Sequence, residues 1–359
     1  MLAKRQQAAN NMLAPHTRLL QFLTSHFNAT RLGNPHSEKA FLRLLDATIG
    51  SLKNSTGHPL AREIRFQIVL FGLRVLRFSI GLDFHARCLL KDRILSAGLS
   101  WFNFAPRWSF GGNRLQLKAE TRLLADVSAA LKNIQMIGDK STPLMKSLQA
   151  KEALLHALID SEQQRLAVWL YPLTEPREVY PSVQGGKVPT EASLVSLVRT
   201  AWMENPSLAI QLTARFPFPR LHKEVRWLLL NFPDKAISEP EGVHILLGES
   251  LPSDVSFQLK YLLYWAPVNP ITAVTYFLPA YRNHPFVLQY AMRALESHSV
   301  DVTFFYVPQV VQTLRYDALG YVERYIVETA KFSQLFAHQI IWNIKANAYK
   351  DEDSTIVSL

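Results

Sequence analysis

A chain of 359 residues, 48% hydrophobic with only 14 glycines, can bury a large core, and no segment alternates apolar and polar residues between hairpin turns, which argues against a sheet-based fold. The net charge of +10 is uneven: residues 1–170 hold 23 Lys and Arg against 11 Asp and Glu, and residues 171–359 hold 16 against 18. The one cysteine, Cys88, excludes an intrachain disulfide, and the most apolar run, 68–82, is broken by Arg74 and Arg77 and falls short of the roughly 20 residues a bilayer span needs.

The N-terminus, Met-Leu-Ala-Lys-Arg-Gln-Gln, has no compact apolar stretch, so neither a secretory signal nor an N-myristoyl site is expected and the chain reads as cytoplasmic. Helices are expected over 17–27 (Leu19, Leu20, Phe22, Leu23, Phe27), 37–53 after a Ser37 cap, 59–79, 83–102, 115–137 and 143–171, the last opened by Ser141-Thr142-Pro143. A loop over 103–113 holds Pro106, Trp108, Gly111 and Gly112. Among the arginines of the basic half, Arg62, Arg65, Arg74, Arg77 and Arg87 interleave with apolar helix positions, which reads as solvated helix faces and not as a continuous binding tract. Nucleic-acid binding through that half has no recognisable motif behind it and would weaken steeply with salt.

The stretch 174–190, with Pro176, Pro181, Gly185, Gly186 and Pro189, is the expected boundary. Beyond it prolines recur from Pro206 to Pro308 and confine most helices to about ten to fifteen residues. Trp202, Trp227, Leu228, Leu229, Leu230, Leu262, Leu263, Trp265, Val287, Leu288, Met292 and Leu295 are the expected seam between successive helix pairs. Near the end, Val307, Val310, Val311 and Leu314 follow Pro308 at spacings of three and four; Tyr321, Val322, Tyr325, Ile326 and Thr329 mark a second helix, and Leu335, Phe336, Ile340, Ile341 and Ile344, with Trp342 beside them, a third. If Trp342 is buried, its replacement by Ala costs about 3 to 5 kcal/mol. With no fixed repeat length, the expected fold is all-α: an irregular α-solenoid of stacked antiparallel helix pairs, an armadillo/HEAT-like superhelix.

Chemistry is scarce. Asp83-Phe84-His85 approaches a metal-binding Asp-Phe-Gly, but His85 stands where glycine is needed and Asp83 fits a helix N-cap. Gln184-Gly185-Gly186-Lys187 lacks both the earlier glycine of a phosphate loop, whose place Pro181 holds, and a hydroxyl after the lysine, where Val188 stands. The eleven histidines include no pair at i, i+4, no Gly-x-Ser-x-Gly elbow occurs, and Glu152 and Glu162 read as single carboxylates on helix faces. Cys88 reads as a buried thiol. No catalytic, cofactor-binding or metal-ligating residue is expected.

Two segments carry a resemblance. Tyr306 to Asp317, YVPQVVQTLRYD, and His338 to Asn343, HQIIWN, are similar to the end of the helical accessory (PIK) domain of phosphoinositide kinases, and the second resembles the type III alpha phosphatidylinositol 4-kinases more than 3-kinases. The loop PRWSFGGNRL, from Pro106 to Leu115, resembles the segment ahead of that domain in the same kinases. The resemblance implies that 1–172 is the end of a helical solenoid, 173–349 the accessory domain and 350–359 a truncated linker. It also implies a non-catalytic scaffold that supports ATP-dependent phosphorylation of phosphatidylinositol at the 4-position, since the catalytic lysine, the Asp-Arg-His-x-x-Asn loop and Asp-Phe-Gly are all missing; ATP and Mg would bind a kinase domain outside this sequence. The implied partners are that kinase domain, a tetratricopeptide-repeat scaffold protein, a plasma-membrane anchor protein and a second copy of the chain, with peripheral plasma-membrane placement through them. The alternative is a free-standing helical-repeat adaptor.

Overall fold

The computed structural model describes residues 17–29, 36, 39–40, 42–43, 59–78, 82–105, 114–134, 142–172 and 189–348. Every regular element among them is an α- or 3-10 helix, as the absence of β alternation implied. The expected helix 37–53, the loop around Trp108, the boundary stretch 174–188, the Gln184–Lys187 tetrapeptide and the tail 350–359 lie wholly or mostly outside the described residues. By their contacts the helices form two compact units, 1–221 and 222–359.

In the first unit α1 covers 17–29, α2 Pro59–Phe78, α3 Phe84–Leu99, α4 Arg114–Lys132, α5 Pro143–Leu170, α6 Glu191–Glu204 and α7 Pro206–Arg215. Four of these starts have a capping side chain. Asp83 accepts the Ala86 amide at 2.6 Å, Thr142 the Met145 amide at 3.3 Å, Thr190 the Ser193 amide at 3.3 Å and Asn205 the Ser207 amide at 2.9 Å, which satisfies donors that a helix leaves orphaned at its start. α2 packs on α3 and α4, and α5 packs on the same two helices, so two helix pairs stack; α6 then packs on α5, and α7 on α6. Their seam is apolar: Phe66, Val69, Leu73 and Leu76 from α2, Leu124, Val127 and Leu131 from α4, Leu155, Ile159 and Leu166 from α5. On α1, Leu20, Leu23 and Phe27 turn inward, while Leu19 and Phe22 are exposed.

The second unit is cut finer than the sequence suggested. Its helices are α8 Pro219–Asn231, which begins in the first unit, α9 Glu241–Leu247, α10 Pro270–Thr275, α11 Pro285–Glu296, α12 Val300–Thr303, α13 Val307–Thr313, α14 Tyr321–Phe332 and α15 Gln334–Ala348, with 3-10 turns between them, including Pro233–Lys235, Gln258–Leu263 and Pro279–Tyr281. Four of the α-helices have only 4 to 7 residues, below the expected ten to fifteen; prolines at 240 and 252 bracket α9 and prolines at 270 and 279 bracket α10, whereas α12 and α13 are ended by the 3-10 turns Phe304–Tyr306 and Leu314–Tyr316. Broken helices expose carbonyls, and side chains collect them. Trp265 donates its indole N–H to the Glu239 carbonyl at 2.7 Å, Tyr281 donates to Gly248 O at 2.8 Å, and Tyr290 donates to Ala266 O at 2.7 Å. Arg293 of α11 donates to the carbonyls of Leu262 (2.8 Å), Leu263 and Trp265 together, closing the end of the 3-10 helix Gln258–Leu263.

Several expected seam residues face solvent instead. Trp227 and Leu263 are exposed and Leu230 is half-buried, whereas Trp202, Leu228, Leu229, Leu262, Trp265, Val287, Leu288, Met292 and Leu295 are buried as expected. On α15 the inward face is Phe336 and Ile340, with Phe336 edge-on to Tyr325 of α14 at 6.2 Å. Leu335 and Ile341 point outward, and Trp342 is 60% exposed, which corrects the buried position on which its large cost depended. The physical reason is that α15 packs on α13 and α14 through one side only, so a helix apolar all round leaves its second stripe uncovered.

Candidate functional site

The densest chemistry in the chain is buried in the first unit. On α2, Arg62 lies one turn ahead of Phe66; on α4, Glu120 begins the stripe Leu124, Val127, Leu131; on α5, Glu162 sits between Ile159 and Leu166. All three charges therefore occupy positions that the three-and-four spacing assigns to the core. Arg62 Nη1 meets Glu120 Oε2 at 2.9 Å and Glu162 Oε1 at 3.1 Å, and Arg215 Nη1, from the last residue of α7, meets Glu162 Oε2 at 2.7 Å. The guanidinium carbons of Arg62 and Arg65 lie 4.8 and 5.6 Å from the Trp101 ring centre, and that of Arg215 lies 4.9 Å from Phe102, both rings being carried by the 3-10 turn Ser100–Asn103.

Two carboxylates and two guanidinium groups make this quartet neutral, which is how charges are tolerated away from water. Burial raises the Glu120 carboxyl above its ordinary range, with Arg62 pulling the other way. Burial also lowers Arg215, which Glu162 partly restores, and brings Arg65 down to about 10. A raised carboxyl invites an acid–base reading. Against it, Arg62, Glu120 and Glu162 are almost fully covered, and three clefts among the described residues of this unit are lined by other side chains. What the quartet does chemically is join α2, α4, α5 and α7.

Sequence reasoning missed this arrangement. Glu162 and Glu152 are not surface carboxylates supported within their own helix: Glu162 serves Arg62 and Arg215, and Glu152 reaches buried Lys91 of α3 at 2.7 Å. Arg62 and Arg65 are buried, whereas Arg74 and Arg77 do face solvent. A readable signal existed in charges of opposite sign interrupting apolar stripes on successive helices.

The remaining candidates fall into place. Asp83 caps α3. Cys88 is buried with its Sγ 4.0 Å from the Met145 sulfur, and burial raises its thiol pKa, which disfavours the reactive thiolate. Among the described residues no group of three His, Cys, Asp or Glu could hold a metal. A cleft of ≈ 560 Å³ is lined by Lys146, Lys151, Arg199, Met203 and Glu204. Lys151 is already held by Asp92 and Glu204 at 2.7 Å each; burial lowers its pKa, but these partners raise it overall.

The motif residues near the end have structural roles. Pro308 stands in the first turn of α13, where a missing N–H costs nothing. Asp317 accepts the amides of Tyr321 and Glu323 at 2.9 Å each and so starts α14, while Gly320 takes the positive φ of 70° between them. Trp342 Nε1 donates to His338 Nε2 at 2.9 Å, one turn apart on the outer stripe of α15.

The sequence behind this helical array is similar to two regions of phosphoinositide kinases. Residues 211–358 match the phosphoinositide 3-kinase family accessory domain (PIK domain), and residues 3–171 match the PI4-kinase N-terminal region. The chain is 32% identical over 355 residues to phosphatidylinositol 4-kinase stt4 of Schizosaccharomyces pombe and 33% identical over 347 residues to STT4 of Saccharomyces cerevisiae, each alignment covering 96% of the chain. It is 25% identical over 372 residues to phosphatidylinositol 4-kinase alpha 1 of Arabidopsis thaliana, which covers 93% of it. Over 93% to 96% of its length the chain is thus similar to phosphatidylinositol 4-kinases, and it spans 17% to 18% of the length of these relatives.

Proposed function

We propose that this chain is a helical scaffold region of a phosphatidylinositol 4-kinase, non-catalytic by itself, which seats a kinase domain that binds ATP and Mg and phosphorylates phosphatidylinositol at the 4-position. The observation that carries the reading is the outer stripe of α15. Leu335, Ile341 and Trp342 are exposed beside Phe332 of α14, on a helix whose opposite side is already packed by Phe336 and Ile340. An apolar stripe of this kind is expected where another domain covers it. The quartet supports the scaffold reading as well, because it joins helices through buried charges and offers no reacting group to solvent. A tetratricopeptide-repeat scaffold, a plasma-membrane anchor and a second copy of the chain are partners proposed from the family resemblance, and peripheral membrane placement through them follows as part of the proposal.

The test is co-purification with the kinase domain of the Schizosaccharomyces pombe relative. Wild-type chain should retain that domain, and the double variant Ile341→Glu/Trp342→Glu should lose it while melting like wild type. Retention by the double variant would move the docking face elsewhere. Sizing the native protein with an antibody to residues 304–347 checks the larger claim: a species far above 40.9 kDa supports the kinase reading, and a species near 40.9 kDa supports the free-standing adaptor.

A further inference from the structure

The 3-10 helix Gln258–Leu263 turns every three residues, so it buries one residue in three. Leu259, Leu262 and, one step beyond, Trp265 form the inner row. The two outer rows are Phe257, Lys260, Leu263 and Gln258, Tyr261, Tyr264, with Phe257 63% and Tyr264 75% exposed. A segment this apolar therefore holds its aromatic rings in water because of its helix type.

Its cation is placed on those rings: Lys260 Nζ lies 3.7 Å from the Phe257 ring centre and 5.4 Å from that of Tyr261. The 3-10 turn Pro233–Lys235 packs against this helix and repeats the pattern, with Lys235 Nζ 5.3 Å from the ring of exposed Phe232. Gln258 Nε2 donates to Leu230 O at 2.8 Å, which ties this helix to the end of α8 just ahead of Phe232. Two Phe-x-x-Lys units thus stand side by side. Neither lysine has a carboxylate partner among the described residues; Asp234 is the acid within these two segments, and the nearby Asp254 is held by both terminal nitrogens of Arg226 at 2.6 and 2.8 Å.

We propose that this face, Phe232, Lys235, Phe257, Lys260, Tyr261 and Tyr264, is a direct contact for an anionic lipid surface. The rings sit at the headgroup boundary and the two ammonium groups meet lipid phosphates. The occupant follows from composition and charge. Lysine is depleted from the cores of protein–protein interfaces, whereas aromatic rings interleaved with long cationic side chains suit the boundary between headgroups and acyl chains. The inference does not rest on the kinase reading, since it concerns binding by the chain alone.

The experiment is sedimentation of the full chain with vesicles of phosphatidylcholine, alone and mixed with phosphatidylserine, at physiological ionic strength. Wild type should bind only the mixed vesicles. Lys235→Glu/Lys260→Glu should weaken that binding by about tenfold or more. Phe257→Ser/Tyr264→Ser, which leaves the net charge unchanged, should weaken it by about tenfold as well. Lys118→Glu/Arg122→Glu, an equal charge reversal on the exposed side of α4, should change it by less than about twofold. Four results would overturn the proposal: no binding by wild type, equal loss in both charge reversals, full binding by the Phe257/Tyr264 variant, or vesicle binding that ignores the patch while an acidic protein partner depends on it.

Discussion

The two units bury polar groups in opposite ways. In the first, helices of up to 28 residues satisfy their own backbone, and the polar groups left inside are side-chain charges paired across helices. In the second, prolines and 3-10 turns break the chain into pieces as short as four residues, and the polar groups left inside are backbone carbonyls, met by tryptophan, tyrosine and arginine from other elements. Long helices move the polar problem to the side chains and short helices move it to the backbone. Either way the groups must be met by specific partners, so each unit depends on a few residues that composition alone would not single out.

This contrast can be broken at its strongest point. Glu162→Gln leaves Arg62 and Arg215 with Glu120 as the remaining carboxylate of the quartet and should cost about 3 to 5 kcal/mol in chemical denaturation, whereas a loss below about 1 kcal/mol would mean that water reaches the cluster. In the second unit the matching packing test is Phe336→Ala, which should cost about 3 to 5 kcal/mol, set against Trp342→Ala, which should cost under about 1 kcal/mol because the ring stands in solvent. Equal losses would show that the two faces of α15 are not different.

Arg293→Lys sharpens the backbone side of the comparison. A single ammonium cannot reach three carbonyls as the planar fork does, so a loss of about 2 kcal/mol is expected, read by denaturation together with faster hydrogen exchange over 258–265. The smallest effect is at Glu120. Its folded pKa lies above the unfolded value, so the native state holds the proton more tightly and stability falls as pH rises from the ordinary carboxylate range through the raised value. Glu120→Gln should remove that slope, read as the unfolding free energy followed against pH. A wild-type stability that instead rises with pH through this range, a rise the variant loses, would show that the attraction of Arg62 outweighs burial.

Much of the architecture was legible in local signals. Caps at Asp83 and Thr142, the proline of α13 and the three-and-four spacing of the apolar positions depend only on neighbours in the chain, and they place those helices and most of their inner faces. The quartet was half legible: Arg62, Glu120 and Glu162 each stand on a core stripe, but Arg215 ends a helix and nothing local pairs it with Glu162, 53 residues earlier. The side on which Trp342 falls was not legible, because α15 is apolar on both sides and periodicity cannot rank two apolar stripes.

By itself the sequence determined an all-helical chain, the starts of its helices and its kinship with phosphatidylinositol 4-kinases, because capping, proline geometry and motif letters are short-range or direct properties of the residues. The tertiary structure decided which charges are buried together, which of two apolar stripes meets a neighbour, and that Gln258–Leu263 winds three residues per turn with its rings turned out. Those outcomes depend on partners far away in sequence, which supply the opposing charge, cover a surface or accept a hydrogen bond only once the chain has folded.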